Sequence, residues 1–220
     1  MTSDRFAAEV AALAQRLARA RRVGRPLVVY GSSTVRLWAD PGADLRRDDV
    51  VAVGFGGATL LDLERHYDVL VAPLAPALLV VAAGANDLEQ LDLQADLRAG
   101  GASVPEAVSI VARVEALLAR ARRHDASLPV QVLTLKPAPF HAARMPAILA
   151  ANQALAEATR RWRKVELVDT CTPFLGADGQ ADARFYADDR RHMNAHGQAL
   201  WVQLLGQALP PAAAPAPTRP

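Results

Sequence analysis

The sequence predicts an α/β fold, a three-layer α/β/α sandwich built around a five-stranded parallel sheet. Short, continuously apolar runs rich in Val and Leu alternate along the chain with longer segments of helical periodicity. Strands that are apolar without alternation are typical of parallel sheets buried on both faces. Three of the apolar runs end in glycine, which indicates a tight turn at the carboxyl end of each of these strands.

The predicted elements follow one another in a regular order. Strands are predicted at 27–30, 50–53, 77–83, 130–135 and 165–168. Helices are predicted at 4–22, 60–70, 104–124, 144–162 and 194–209, with a short helix or turn at 34–38. The longest helix begins with a capping box, because Ser103 stands three residues before Glu106 and Pro105 lies in the first turn. Pro41 and Gly42 are expected to stop the short segment.

The bulk composition is that of an ordinary globular protein. Hydrophobic residues make up 51% and charged residues 22%, and the formal net charge is +2. A chain of 220 residues suits one domain, predicted at 1–209 with an N-terminal helix at 1–22. The Pro- and Ala-rich residues 210–220 are predicted to be a disordered tail. Arginine clusters near the ends of predicted helices indicate solvated helix ends rather than a nucleic-acid surface, because no aromatic residues interleave with them.

Several classes of site and location are not expected. The N-terminus lacks the charged start and unbroken apolar stretch of a signal peptide, and no apolar run is long enough to span a bilayer. We therefore predict a cytoplasmic protein without stable membrane insertion; no oligomeric state is predicted. Cys171 is the only cysteine, which excludes an internal disulfide and indicates a small buried thiol. No cluster has the spacing of metal ligands, and we expect no metal and no cofactor.

Four short motifs, far apart in the sequence, supply chemically complementary groups. They are Gly31-Ser32-Ser33, the glycine-rich 54–57, the Gly-Ala-Asn-Asp of 84–87, and the Asp-Arg-Arg-His of 189–192. The first three each follow a predicted strand, so they lie at the sheet edge where ligands bind in such folds. A hydroxyl, backbone N–H groups, an amide and an acid–base pair are the components of acyl-transfer chemistry.

The first three motifs each have a simpler interpretation as well. Ser33 could be a nucleophile exposed by a sharp turn, but Ser32, Ser33 and Thr34 could also simply cap the following helix. The glycines of 54–57 could present an N–H to an oxyanion or form an ordinary flexible loop. Asn86 could donate its amide to an oxyanion or form an Asx turn that ends the strand.

The fourth motif supplies a candidate acid–base pair. One turn of helix-like backbone would place Asp189 and His192 side by side, so that the carboxylate orients the imidazole. Tyr186 and Trp201 are expected among the residues that surround the pair and limit access of water. Asp188 could replace Asp189, and a plain surface contact is the simpler alternative.

Other noticeable residues are expected to be ordinary. Four further histidines are expected to be surface or partly buried side chains: His66, His124, His141 and His196. The segment 136–139 is interpreted as a stiff loop, with a substrate wall as the alternative, and Trp38 as a packing residue.

Taken together, the four motifs resemble those of the SGNH hydrolases, also called GDSL-type lipases and esterases. The branch that is similar has Gly-Ser-Ser in its first motif, and the resemblance extends from about Leu27 to Trp201. It implies a flavodoxin-like fold with strand order 2-1-3-4-5. Ser32 stands where many members have Asp, which bears on the geometry of that loop.

The resemblance also implies a role for individual residues. Ser33 matches the nucleophile, His192 the general base and Asp189 the third member of a catalytic triad. The oxyanion hole would consist of the N–H groups of Ser33 and Gly57 and the side-chain amide of Asn86. The neighbouring glycine at position 56 is the alternative donor, because the two glycines are adjacent.

The expected function is therefore hydrolysis of carboxylic esters, with a small-molecule ester as the substrate. Aromatic residues make up only 5% of the chain and no apolar lid is evident, which favours short acyl chains. Transfer of the acyl group to an acceptor other than water is also compatible with the motifs. Two alternatives belong to other classes: an acyl- or sugar-binding module that has lost turnover, and a flavodoxin-like binder of nucleotide or flavin.

Overall fold

A five-stranded parallel sheet forms the centre of the computed structural model, which describes residues 4–20, 24–90 and 106–211. The strands are β1 (Leu27–Gly31), β2 (Val50–Gly54), β3 (Leu78–Ala82), β4 (Val130–Leu133) and β5 (Val165–Val168). Their order in the sheet is β2-β1-β3-β4-β5, and every neighbouring pair is parallel. The predicted fold class and strand order are confirmed.

Helices cover both faces of this sheet. They are α1 (Ala7–Arg19), α2 (Ser33–Arg36), α3 (Pro41–Leu45), α4 (Leu60–Leu70), α5 (residues 85–90), α6 (Glu106–His124), α7 (Met145–Thr159) and α8 (Ala195–Ala208). The predicted cap at Ser103 and residues 212–220 of the predicted tail lie outside the described residues. No helix in the described ranges combines the length and the apolar composition that crossing a bilayer requires.

The segment after β1 differs from the prediction. The first short helix, α2, already ends at Arg36, and Pro41 and Gly42 begin a second short helix, α3. Asp40 is the N-cap, and its carboxylate accepts a hydrogen bond from the backbone N–H of Ala43 at 2.9 Å. The expectation was wrong because proline, which breaks a helix interior, is well suited to the first helical position.

The two faces of the sheet pack into two separate core clusters. Along β1, Val28 and Tyr30 belong to one cluster and Leu27 and Val29 to the other, as the alternation of side chains in a strand requires. The first cluster contains buried residues of α1, α4, α6 and α7, and the second those of α2 and α8. All five residues of β1 are buried, which explains why its sequence is apolar without alternation.

The second cluster joins the beginning of the chain to its end. Trp38, just after α2, packs edge-to-face on Trp201 of α8 with ring centroids 5.0 Å apart. Both indoles are buried, so the interpretation of Trp38 as a packing residue is confirmed. The thiol of Cys171 is buried as well.

Glycines allow the strand ends to approach one another closely. A Cβ on Gly31 would lie 2.3 Å from the carbonyl oxygen of Ala82 in β3. A Cβ on Gly54 would lie 2.4 Å from the backbone nitrogen of Arg36 in α2. Any larger residue would push the turn after β1 away from its neighbours. The carboxyl ends of β1, β2 and β3 therefore meet in a compact edge.

A buried ion pair joins α4 and α6 to this edge. Asp87 in α5 has 0% of its side chain exposed and lies 2.7 Å from Nη1 of Arg113 in α6. Its carboxylate oxygens also accept from the backbone N–H of Leu60, the first residue of α4, at 2.9 and 3.1 Å. Burial raises the pKa of Asp87, although the Arg113 and Leu60 hydrogen bonds act in the opposite direction.

We expect Asp87→Ala to lower the free energy of unfolding by about 3–5 kcal/mol, because it leaves the largely buried guanidinium of Arg113, 16% exposed, without its partner. Guanidinium-induced unfolding followed by circular dichroism measures this loss. Asp68→Ala is the matched control: this carboxylate also pairs with α6, through Arg120 at 2.7 Å, but its side chain is 43% exposed. The control should cost less than about 1 kcal/mol; equal losses in the two variants would contradict the assignment.

Candidate active site

The turn after β1 places Ser33 at the carboxyl edge of the sheet. Ser33 is the first residue of α2 and is half-buried. Ser32 occupies the N-cap position, yet its side chain makes no capping hydrogen bond. Oγ of Ser33 lies 3.2 Å from Nε2 of His192. The hydroxyl of Ser33 thus contacts an imidazole that is far away in the sequence.

The imidazole of His192 bridges the serine and a carboxylate. Its Nδ1 lies 2.6 Å from Oδ2 of Asp189. With the proton placed on Nδ1, the ring donates to this carboxylate and Nε2 keeps a lone pair. The hydroxyl of Ser33 can then donate its proton to Nε2. The three side chains form one continuous hydrogen-bonded chain.

The loop that carries this pair is an Asx-type turn, so the expectation of helix-like backbone was wrong. Oδ1 of Asp189 accepts from the backbone N–H groups of Arg191 and His192, each at 2.9 Å. Arg190 has φ +58°, in the left-handed region, which prevents a helical continuation. The N–H of Ala187 donates to the carbonyl of His192 at 2.8 Å and closes the loop. The carboxylate itself therefore organises the turn that holds the imidazole.

These hydrogen bonds determine the charge of the carboxylate. The bond from the His192 ring, together with the backbone N–H groups of His192 and Arg191, holds the pKa of Asp189 far below its usual range. Asp189 is consequently ionised at neutral pH, although its side chain is half exposed to water. An ionised carboxylate at this place stabilises an imidazolium and fixes the ring tautomer.

Asn86 connects the third motif to the second. Gly84, with φ +124°, ends the extended segment after β3 and leads into α5. Nδ2 of Asn86 donates to the carbonyl of Ala58 at 2.9 Å, which leaves its second N–H for another acceptor. Gly57 also has a positive φ, +75°, and its carbonyl accepts from the guanidinium of Arg5 at 3.1 Å.

Three of the predicted residues line one cleft with a volume of about 70 Å³: Ser33, Asn86 and His192. Asp189 lies behind the imidazole. Gly57 is not among the described residues that line the cleft; it is tied to them through the neighbouring carbonyl that Asn86 holds. As expected, Trp201 is close to the acid–base pair, since it lines the same cleft.

A second charged cluster, which no sequence motif predicted, lies beside this cleft. Glu89 in α5 accepts from Nη1 of Arg191 at 2.7 and 3.0 Å and contacts Nε2 of His141 at 2.8 Å. Burial raises the pKa of Glu89, but the bonds from His141 and Arg191 outweigh burial and hold it below its ordinary value. His141 is 4% exposed and lines the cleft, so it is a buried side chain and not the surface or partly buried histidine that was expected. In the sequence, Glu89 stands two residues after the motif of 84–87, and Arg191 lies within that of 189–192. These two positions were the signal from which the cluster could have been predicted.

Comparison with known protein families gives a match that extends over most of the chain. Residues 24–200, well over half of the chain, match the model of the GDSL-like Lipase/Acylhydrolase family. A comparison with curated proteins gives no match.

Solved structures of the same fold cover nearly the whole chain. A protein from Streptococcus pneumonia with the provisional name platelet activating factor is 17% identical, with a TM-score of 0.73 and 91% of each chain covered. A GDSL-like lipase from Bacteroides thetaiotaomicron is 21% identical, with a TM-score of 0.68 over 93% of this chain and 95% of that chain. An acetyl xylan esterase is 16% identical, with a TM-score of 0.64 over 83% of this chain and 99% of that chain. These likenesses show a shared fold.

Proposed function

Because the chain belongs to the GDSL-like lipase/acylhydrolase family, we propose that it is a serine esterase that hydrolyses carboxylic esters with short acyl chains. The observation that carries the proposal is the hydrogen-bonded chain of Ser33, His192 and Asp189. Its two distances, 3.2 Å and 2.6 Å, are those of a nucleophile, its base and the group that orients the base. The family supports the acylhydrolase class, and this geometry supports the roles.

The reaction begins when Oγ of Ser33 attacks the ester carbonyl and its proton passes to Nε2 of His192. Asp189 stabilises the imidazolium that forms. The tetrahedral oxyanion accepts hydrogen bonds from the N–H groups of Ser33 and Gly57 and from Nδ2 of Asn86. His192 returns the proton to the alcohol oxygen, the C–O bond of the ester breaks, and the acyl group stays on Ser33. Water, deprotonated by the same imidazole, then attacks the acyl carbonyl; the bond to Oγ of Ser33 breaks, His192 returns the proton to Oγ, and the acid leaves.

The preference for short acyl chains rests on the size of the cleft. The volume of the cleft, about 70 Å³, is small and suits a small acyl group. An acetyl to butyryl group fits such a space, whereas a long fatty acyl chain would have to lie outside it. One structural relative is called an acetyl xylan esterase, a name that states a two-carbon acyl group for that protein.

A graded series of p-nitrophenyl esters from acetate to decanoate, combined with a fluorophosphonate probe, tests the proposal. We expect kcat/KM to be highest for two- to four-carbon acyl groups and the probe to label Ser33, as mapped by mass spectrometry. A folded protein that is neither labelled nor active would favour a binding module without turnover. Yellow colour, or thermal stabilisation by a nucleotide, would favour the flavin or nucleotide binder instead.

Replacing the proposed amide donor tests the oxyanion hole. We expect Asn86→Ala to lower kcat about 10²–10³-fold with a smaller change in KM, because the amide acts on charge that develops in the transition state. Steady-state kinetics with p-nitrophenyl acetate measure both constants. The melting temperature serves as the control, since the substitution also removes the bond to the Ala58 carbonyl. A rise in KM at constant kcat would contradict the assigned role.

A further inference from the structure

A lysine side chain lines the cleft beside the proposed catalytic groups. Lys136 follows β4 at the carboxyl edge of the sheet and borders the same cleft as Ser33 and His192. The backbone before it is fixed by Asn152 in α7. The Asn152 side chain accepts from the N–H of Leu135 at 2.7 Å and donates to its carbonyl at 3.1 Å. The position of Lys136 is therefore built into the fold.

The ammonium group of Lys136 has weak partners. Its Nζ lies 3.5 Å from the carbonyl of Pro137 and 3.5 Å from the hydroxyl of Tyr186. It also lies 4.6 Å from the ring centroid of Tyr186 and 5.7 Å from that of Phe174. In the described part of the chain, the ion pairs within 4.0 Å include none with Lys136. Two long hydrogen bonds and two ring faces replace the usual carboxylate.

Burial has an electrostatic consequence for this group. It lowers the pKa of Lys136 to about 8, with the charge of Asp189 acting in the opposite direction. At pH 7 the amine is still mainly protonated, so the cleft holds a cation that has lost much of its hydration. Cations in such surroundings are stabilised by an anion in contact with them.

The rest of the cleft also favours an anion. The described residues that line the cleft include no Asp or Glu, but they do include Lys136 and Arg191. The charge of Arg191 is already balanced by Glu89. Nδ1 of His141, buried in the same lining, has no hydrogen-bond partner among the described residues. The cleft is thus lined by a lysine that has no carboxylate partner among the described residues and by a histidine whose Nδ1 has no hydrogen-bond partner there.

We propose that Lys136 is a specificity-determining residue that binds a carboxylate carried by the substrate, so that the preferred substrates are esters bearing a second, ionised carboxyl group. This inference rests on the proposed esterase function, and it adds the chemical class of the substrate. The carboxylate belongs either to the acyl chain or to the alcohol. A charged hydrogen bond in a desolvated cleft favours such a substrate by roughly 10- to 100-fold in kcat/KM.

Two pairs of matched esters, assayed by pH-stat at pH 7, test the inference and locate the carboxylate. Monomethyl glutarate against methyl butanoate tests the acyl side, and 3-acetoxypropanoate against propyl acetate tests the alcohol side. We expect the charged member of one pair to have a kcat/KM at least tenfold above its neutral partner. Lys136→Met should abolish this preference by lowering activity on the charged ester at least tenfold more than on the neutral one, and Lys136→Arg should restore part of it.

Lys164→Met is the control for net charge, because Lys164 is exposed and donates to the carbonyl of Ser127 at 3.2 Å, away from the cleft. It should leave both activities unchanged. Equal loss on charged and neutral esters in Lys136→Met, or no preference in the wild-type protein, would overturn the inference while neutral-ester hydrolysis and labelling of Ser33 still support the esterase. Failure of both hydrolysis and labelling would overturn the esterase and this inference together.

Discussion

Ser33→Ala should lower the hydrolysis of p-nitrophenyl acetate by at least about 10⁴-fold, because it removes the proposed nucleophile and leaves only binding and the oxyanion donors. The far-UV circular dichroism spectrum should not change. The turn around Ser33 is held by main-chain hydrogen bonds, such as that from the Leu37 N–H to the Ser33 carbonyl at 2.9 Å. Alanine keeps these bonds.

The adjacent serine provides the matched comparison. Ser32 is buried, belongs to the same turn and lacks the contact with His192 that Ser33 makes. Ser32→Ala should retain fluorophosphonate labelling at position 33, whereas Ser33→Ala should lose labelling completely. Retained activity in Ser33→Ala, or labelling that moves to Ser32, would reject Ser33 as the nucleophile.

Asp189→Asn should lower kcat by about 10³–10⁴-fold, because an amide that donates to Nδ1 of His192 favours the wrong ring tautomer. The loop should survive, since the side-chain oxygen of asparagine can still accept from the N–H groups of Arg191 and His192. Steady-state kinetics at a pH where the wild-type rate is constant measure the loss.

Asp188→Asn is the control for this substitution. Asp188 is adjacent and exposed, and its replacement removes the same charge from the same loop. Its kcat should stay within about twofold of the wild-type value, as for a surface change away from the reacting atoms. A large loss in Asp188→Asn with a small one in Asp189→Asn would transfer the proposed orienting role to Asp188.

The sequence predicted the sheet well because its three central strands, β1, β3 and β4, are buried almost throughout. Continuous apolar runs such as Leu27–Tyr30 have few other interpretations when glycine follows and helical segments intervene. Helix ends were less accurate. The helix expected to reach residue 162 ends at Thr159, since tertiary contacts and local turns determine such boundaries.

The cleft could be predicted only in part. Ser33, Asn86 and His192 were identified because each lies in a recognisable motif. Lys136 was considered only as part of a stiff loop or a substrate wall, and Glu89 belongs to no motif. Their positions depend on which loops meet above the sheet. Periodicity does not contain that information. The Asx-type turn at Asp189 was missed for a related reason, because a left-handed Arg190 cannot be read from its neighbours.

The contact between Trp38 and Trp201 links the proposed activity to the synthesis of the chain. Trp38 follows the nucleophile turn, and Trp201 belongs to the last helix, beyond the loop that carries the imidazole. While the ribosome is still making the polypeptide, all five strands emerge before either His192 or this helix. A chain that stopped before His192 would therefore carry all five strands and the Ser33 turn without the imidazole, so the proposed activity requires the C-terminal segment as well as the sheet.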